Sequence, residues 1–391
     1  MASPLFPLIG IALIGRLIWD LLDEQGRNKM YNCHEDMLAF HDAEVTLPET
    51  QRKEMRQRRN TNRDRLKAGL ERDNEPQPFK FQSQGSYAMH TMVQDPSNDY
   101  DIDDGVYFTK EALKGPRGGD RAPADVKEMV RKALHDDKFK KPPEVRTNCV
   151  RVYYDAGYHV DVPVYRRVTH KNFFGEEETF DELASTEWKR SDPVGVTDWF
   201  NDENKRQSPN LDNGGQLRRD TRYQKNFSRS RESWRERMAT GFTITKLVTE
   251  CYVANDARED RSLYDTMVAM RNRLNNSLEV NHPTVKGEKL TKGPDDARTK
   301  FLREKLNWAI DELKVLFEPD CTRAKALDAW DTVFNTDFFS NRLEDDNSAA
   351  DAKAAATAAG GLTSILLSGE APAMARTPER PVDKQGGGRY A

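Results

Sequence analysis

Between Tyr100 and Phe108 the chain reads Tyr-Asp-Ile-Asp-Asp-Gly-Val-Tyr-Phe, with acidic and apolar residues interleaved. Successive side chains of a strand point to opposite faces, so Asp101 and Asp103 project together from one side. Ile102, Val106 and Phe108 mark the strand as half-buried, and clustered carboxylates there are costly without a counter-charge. Asp99 shares the face of that pair and Asp104 takes the other; both are expected to be structural.

A second strand signal runs from Val145 to Val164, VRVYY and YHVDVPVY across a turn at Gly157, and predicts a hairpin. It carries Asp161 between Val160 and Val162, an uncomfortable setting for a plain surface acid. Asp101, Asp103 and Asp161 together are the expected catalytic and metal-binding acids. An oxygen-only ligand set of this kind suits Mg²⁺ or Mn²⁺ rather than softer metals, and three carboxylates can hold two ions. Two such ions serve phosphoryl transfer, activating the attacking hydroxyl and steadying the leaving pyrophosphate. His159 is expected to face away from Asp161 and to be structural.

Gln84-Gly85-Ser86 stands fifteen residues ahead of Asp101. Gly85 allows close approach of backbone to phosphate. Ser86 is expected to open a helix over residues 87–93, whose first N–H groups attract anions. Neither the G-x-x-x-x-G-K-[ST] loop nor a G-x-G-x-x-G turn after a strand is present.

Around these motifs, residues 49–73 are dense in charge with Met55, Leu66 and Leu70 at helical spacing, predicting one long helix ended by Asp73 to Pro78. A helical stretch is expected over 125–134. Residues 216–255, 297–317 and 322–334 have helical patterning. The predicted class is α+β: a catalytic lobe on a mixed sheet followed by a helical lobe. The expected division is an apolar extension at 1–29, the catalytic lobe at 30–205, the helical lobe at 206–345 and a tail at 346–391 rich in Ala, Gly, Pro and Ser.

The 61 basic and 65 acidic residues give a net charge of −4, so no overall basic field favours a long polyanion, and a stable nucleic-acid partner is not expected. Four scattered cysteines in a chain of 391 residues suggest reduced thiols, a cytoplasmic setting and no zinc site. The apolar run near Pro4 to Gly15 is well short of the roughly 20 residues a membrane helix needs. No small-residue cleavage site follows it. Membrane attachment is therefore not expected.

Gln84-Gly85-Ser86, Asp101-Ile102-Asp103-Asp104-Gly105 and His159-Val160-Asp161-Val162-Pro163 together resemble the bacterial cGAS/DncV-like nucleotidyltransferases, the CD-NTases of antiphage systems. These are similar to the animal sensor cGAS and to oligoadenylate synthases. Ser191-Asp192-Pro193 through Asp202 resembles the junction between their lobes, and the likeness spans about residues 30–342. The resemblance implies a bilobal fold, with a polymerase-β-like lobe and a helical lobe closing over the nucleotides. Gln84, Gly85 and Ser86 match triphosphate-contacting positions. Lys225, in Arg222-Tyr223-Gln224-Lys225, matches a phosphate-binding lysine, and Thr243 a phosphate-contacting hydroxyl. The implied reaction joins ATP, GTP or both into a cyclic di- or trinucleotide that acts on a downstream effector. Some such systems conjugate the synthase through its C-terminus by a ubiquitin-transfer-like enzyme, which here would act on Ala391. The alternatives are a linear-oligonucleotide or RNA-tailing enzyme, a protein-adenylylating enzyme, or a catalytically silent binding module.

Overall fold

The structure, a computed structural model, describes residues 29–95, 100–154, 157–171 and 173–343. The expected apolar extension (all but Lys29), the C-terminal tail with Ala391, and Asp99 lie outside the described residues.

The chain divides into two compact units, residues 32–311 and the remainder. In the larger unit, α1 (His34–Phe40) and a π turn (His41–Val45) precede the long helix α2 (Glu49–Arg72). Pro48 suits the entry to α2, and no other proline or glycine interrupts it before Gly69. That glycine marks the crossing with α4 (Pro123–Leu134): a Cβ at Gly69 would fall 2.0 Å from the Ala133 carbonyl oxygen. The apolar stripe of α4, Val126, Met129, Val130, Ala133 and Leu134, recurs at helical spacing and is buried throughout. Burial of each larger side chain contributes about 1.5–3 kcal/mol.

These two helices cover one face of an eight-stranded mixed sheet. Its strands are β1 (Lys80–Gln84), β2 (Asp101–Thr109), β3 (Glu144–Val145), β4 (Val150–Tyr153), β5 (His159–Val162), β6 (Val164–Lys171), β7 (Glu177–Ala184) and β8 (Trp188–Arg190). β2 is central, antiparallel to β1 on one edge and parallel to β5 and then β6 on the other. The hairpin expected around Gly157 is β4–β5, with Val150 opposite Val162.

Alternation along β2 sorts its side chains as the sequence suggests. Val106 and Phe108 enter the core beneath α2 and α4. Asp104 takes the same face, where Arg63 of α2 donates to both its oxygens at 2.6 and 2.5 Å. That pairing makes Asp104 structural, as expected. Asp101 and Asp103 are left on the opposite face.

After the sheet come α5 (Pro193–Gln207), α6 (Gln216–Arg229), α7 (Gly241–Cys251), α8 (Glu259–Asn276) and α9 (Ala297–Glu312). Neither α5, opened by the Asp192 cap, nor α8 was among the helices the pattern predicts. The smaller unit holds the 3-10 turn Leu313–Phe317 and α10 (Arg323–Phe334), capped by Thr322. Trp330 stacks on Phe334 there at 6.0 Å. All four cysteines are free thiols, and no described helix is long and apolar enough to cross a membrane.

Candidate active site

Parallel pairing of β2 with β5 puts Asp101 beside His159 and Asp103 beside Asp161. Three carboxylates separated by up to sixty residues thus meet on one face of the sheet. They do so at the edge of a cavity of about 440 Å³, which Asp101 and Asp103 line.

Their electrostatics are uneven. Burial pushes the Asp103 pKa up to about 7, with repulsion from Asp161 and Asp101 adding to it. The Asp103 carboxylate receives no hydrogen bond among the described residues. Asp161 is 8% exposed and is gripped by Arg151 of β4, whose Nε and Nη2 donate to its two oxygens at 2.8 Å each. Arg151 also comes within 3.4 Å of Asp101. This arginine was not singled out in the sequence, because the antiparallel ladder that sets it opposite Asp161 is a tertiary fact.

His159 requires a correction. It was expected to face away from Asp161, yet residues two apart on a strand share a face. Its Nδ1 lies 3.4 Å from an Asp101 oxygen, so it belongs to the acidic cluster.

Gln84 and Gly85 link β1 to the site. Gln84 is buried, and its Nε2 donates to the Tyr165 hydroxyl at 2.8 Å. Gly85 has φ +65°, and a Cβ there would lie 2.3 Å from an Asp103 oxygen. Glycine is thus needed to seat Asp103, in addition to any approach by phosphate. The helix expected over 87–93 is in fact a single turn, α3 (Gly85–Ala88), with Ser86 inside it rather than at its cap. Met89 ends that turn, and His90 follows in the left-handed region, φ +54°. Ser86 still lines the cavity.

One face of α6 holds this loop. Arg218 donates to the Met89 carbonyl at 3.1 Å, and Arg222 to the His90 carbonyl at 2.9 and 2.6 Å. Lys225, one turn on, donates to the Thr91 hydroxyl at 2.8 Å. Lys225 is buried and lines the cavity. Burial, with repulsion from Arg229 and Arg222, lowers its pKa to about 7. Arg229, a turn further along, also lines the cavity and has no ion-pair partner among the described residues.

Thr243 does not line the cavity. Its N–H donates to the Thr240 hydroxyl at 3.2 Å and its own hydroxyl meets that of Thr240 at 2.9 Å, the cap of α7. Gly241 and Phe242, the first two residues of α7, line the cavity instead. That helix N-terminus offers unpaired N–H groups to an anion.

The donor set fits a divalent cation: hard carboxylate oxygens, one of them (Asp103) strained by its neighbours and without a donor. Among the described residues no group of three or more His, Cys, Asp or Glu side chains already converges as a metal cage, Asp161 being turned onto Arg151. Acids, Lys225, Arg229 and a helix N-terminus gathered on one cavity suit a metal-chelated polyphosphate.

Residues 79–165 match the family model of the cyclic GMP-AMP synthase DncV-like nucleotidyltransferase domain. The fold is similar to that of Vibrio cholerae DncV cyclic AMP-GMP synthase, solved with nonhydrolysable GTP. Identity is 18% over 78% of this chain and 96% of that one, with a TM-score of 0.60. Escherichia coli DncV, in its 3'-deoxy GTP bound form, gives 17% identity over 75% and 92%, TM-score 0.58. The Bradyrhizobium diazoefficiens CD-NTase CdnG, solved with GTP, gives 15% over 80% and 97%, TM-score 0.60. The α+β, polymerase-β-like fold expected from the sequence is therefore the one observed.

Proposed function

We propose that this chain, a bacterial cGAS/DncV-like nucleotidyltransferase by its 79–165 domain and its fold, joins nucleoside triphosphates into a cyclic di- or trinucleotide. The observation that carries this reading is the meeting of Asp101, Asp103 and Asp161 beside a cavity that Lys225 and Arg229 also line.

Asp101, Asp103 and Asp161 would hold two Mg²⁺ or Mn²⁺ ions. When bound, these supply Lewis acidity for the attacking hydroxyl and charge neutralisation for the leaving pyrophosphate. The chain's own groups do the rest. Lys225, Arg229 and the free N–H groups of Gly241 and Phe242 bind phosphate oxygens; Ser86 adds a hydroxyl donor. Thr243 contributes by completing the cap that orients those N–H groups. Arg151 holds Asp161 until cations neutralise the cluster. In each transfer a ribose hydroxyl oxygen bonds to an α-phosphorus while the bond to pyrophosphate breaks. A first transfer gives a linear product and the last closes the ring, the second transfer for a dinucleotide and the third for a trinucleotide. All lie within the 440 Å³ site region in this reading, with the intermediate turning over between them.

The implied setting is cytoplasmic antiphage signalling, with an effector that binds the product and a ubiquitin-transfer-like enzyme that acts on Ala391. The reaction is tested by following pyrophosphate release from ATP and GTP with Mg²⁺, alone and together. Release that depends on the metal and disappears in Asp101→Asn supports it. Release unchanged in that variant would assign the activity to something other than these acids.

A further inference from the structure

The π turn His41–Val45 is bonded directly to the loop that follows α3. Thr46, just after the turn, forms an antiparallel bridge with Val93. The Gln94 N–H donates to the Val45 carbonyl at 3.0 Å. Its side-chain Nε2 donates to the Ala43 and Thr46 carbonyls at 2.8 Å each. Met89, Thr91 and Val93 of this loop line the cavity. Turns of the π type are rare and often mark functional positions.

His41 opens the turn, and it is fully buried. Its Nε2 lies 3.1 Å from Nη1 of Arg222, and its Nδ1 lies 2.9 Å from an oxygen of Asp42. A guanidinium can only donate, so Nε2 accepts and the ring proton sits on Nδ1, donated to Asp42. The Thr46 hydroxyl, 3.2 Å from Nε2, donates to the same nitrogen. Burial lowers the His41 pKa; Asp42 opposes that shift, while Arg222 and Arg219 of α6 reinforce it. The ring therefore stays neutral. Tyr223 of α6 packs against it edge-on, centroids 5.3 Å apart, and donates its hydroxyl to the Met37 carbonyl of α1. Asn213 donates to the Asp42 carboxylate at 3.3 Å.

Arg222 spends its other donors on the loop: Nε and Nη2 both reach the His90 carbonyl, at 2.9 and 2.6 Å. His90 has φ +54°, a conformation that a residue with a side chain keeps only when its surroundings impose it. The guanidinium imposes it, and His41 fixes the guanidinium from behind at Nη1. A continuous chain of bonds thus runs from Asp42 through His41 and Arg222 to His90.

We propose that His41 is a positioning residue for the triphosphate: its neutral ring, oriented by Asp42, fixes Arg222 and thereby holds the loop over residues 89–94 in the shape that lines the cavity. This deepens, and rests on, the nucleotidyltransferase reading above. His41 touches no substrate in this role. What it supplies is an acceptor at Nε2. Without that acceptor the buried guanidinium has an unmatched donor at Nη1 and is free to leave the His90 carbonyl in search of another partner. The loop then loses its tie at His90 while keeping those at Val93 and Gln94.

His41→Gln keeps an acceptor oxygen where Nε2 stood, whereas His41→Leu fills the space without one. Hydrogen exchange read by mass spectrometry on the full chain, without ligand, tests the tie. Amides of residues 86–94 should exchange roughly tenfold faster in His41→Leu and near the wild-type rate in His41→Gln, with α4 unchanged in both. Arg222→Met should loosen the same amides, and adding His41→Leu to it should loosen them no further, because the chain is already cut. That pair and His41→Gln carry the test should His41→Leu alone not fold. Calorimetric titration with Mg²⁺ and the α,β-methylene triphosphates of adenosine and guanosine reads the consequence. His41→Leu should bind roughly tenfold more weakly, and His41→Gln within about threefold of wild type. A loop equally protected in His41→Leu or Arg222→Met, losses as large in His41→Gln as in His41→Leu, or a loosened loop that binds as wild type does would overturn the proposal and leave the nucleotidyltransferase reading standing. Failure of wild type to bind either triphosphate would remove both.

Discussion

Arg151 holds Asp161 through both carboxylate oxygens, at 2.8 Å each, so the acid that completes the cluster is already neutralised by a protein cation. Both partners are largely buried, Arg151 at 22% and Asp161 at 11% side-chain exposure. A buried acid without a partner is costly, so the arginine lets the cluster fold before metal arrives. It also competes with metal for the same oxygens.

Arg151→Met is accordingly expected to lower the stability of the chelator-treated protein by about 3 kcal/mol. Added Mg²⁺ should raise its melting temperature more than it raises that of wild type. Equal melting temperatures without metal would show that Asp161 does not depend on Arg151.

Asp103 carries the opposite signature. Its pKa is raised to about 7 from an ordinary 3.8. A carboxyl with a raised folded pKa stabilises the fold fully only below its unfolded pKa, and that contribution is lost as pH rises through the folded value. In chelator, Asp103→Asn should therefore be more stable than wild type by about 2 kcal/mol at pH 8. The gap should shrink between pH 7 and 4. The same variant should be inactive. A melting-temperature series against pH checks the first part, and a gap independent of pH would contradict it.

Lys225 has its pKa lowered to about 7 by burial and by Arg229 and Arg222. A bound triphosphate favours the charged form, so binding takes up a proton wherever the free lysine is neutral. Triphosphate affinity should fall as pH rises from about 7 towards 9, and that slope should vanish in Lys225→Met. Without ligand, wild-type stability should rise between about pH 7 and the unfolded value of 10.5, because the unfolded chain binds the extra proton there. Titrations in two buffers of different ionisation enthalpy measure the proton uptake directly. No uptake at pH 8 would mean that Lys225 is charged before binding.

Gly85→Ala meets two obstacles, a left-handed φ of +65° and an Asp103 oxygen 2.3 Å from the new Cβ. The variant is expected to lose about 1–2 kcal/mol of stability. It should also lose more activity than Ser86→Ala, since Asp103 has to move. Activity in Gly85→Ala equal to that of Ser86→Ala would argue against the seating role.

Much of the acidic site was legible because strand alternation is a local rule. Asp101, Asp103 and Asp161 each sit among alternating apolar residues, and the β4–β5 hairpin follows from its Gly157 turn. The same rule, applied correctly, would have put His159 with Asp161. The pairing of Arg151 with Asp161 was hidden, since it depends on which rungs of a ladder face each other. The helix after Ser86 is short because the loop is held from outside, by arginines and a lysine of α6 that bond its carbonyls rather than by its own propensity. Arg229 and His282 gave no signal, because a single Arg or His becomes informative only once a cavity collects it.

The central claim is that the three acids and the cationic wall make a cyclic oligonucleotide. It is tested most directly by mass spectrometry of the products after incubating the full chain with all four nucleoside triphosphates and Mg²⁺ or Mn²⁺. The account predicts a phosphatase-resistant cyclic product that disappears in Asp101→Ala. Exclusively linear products, or a cyclic product that persists in that variant, would contradict it.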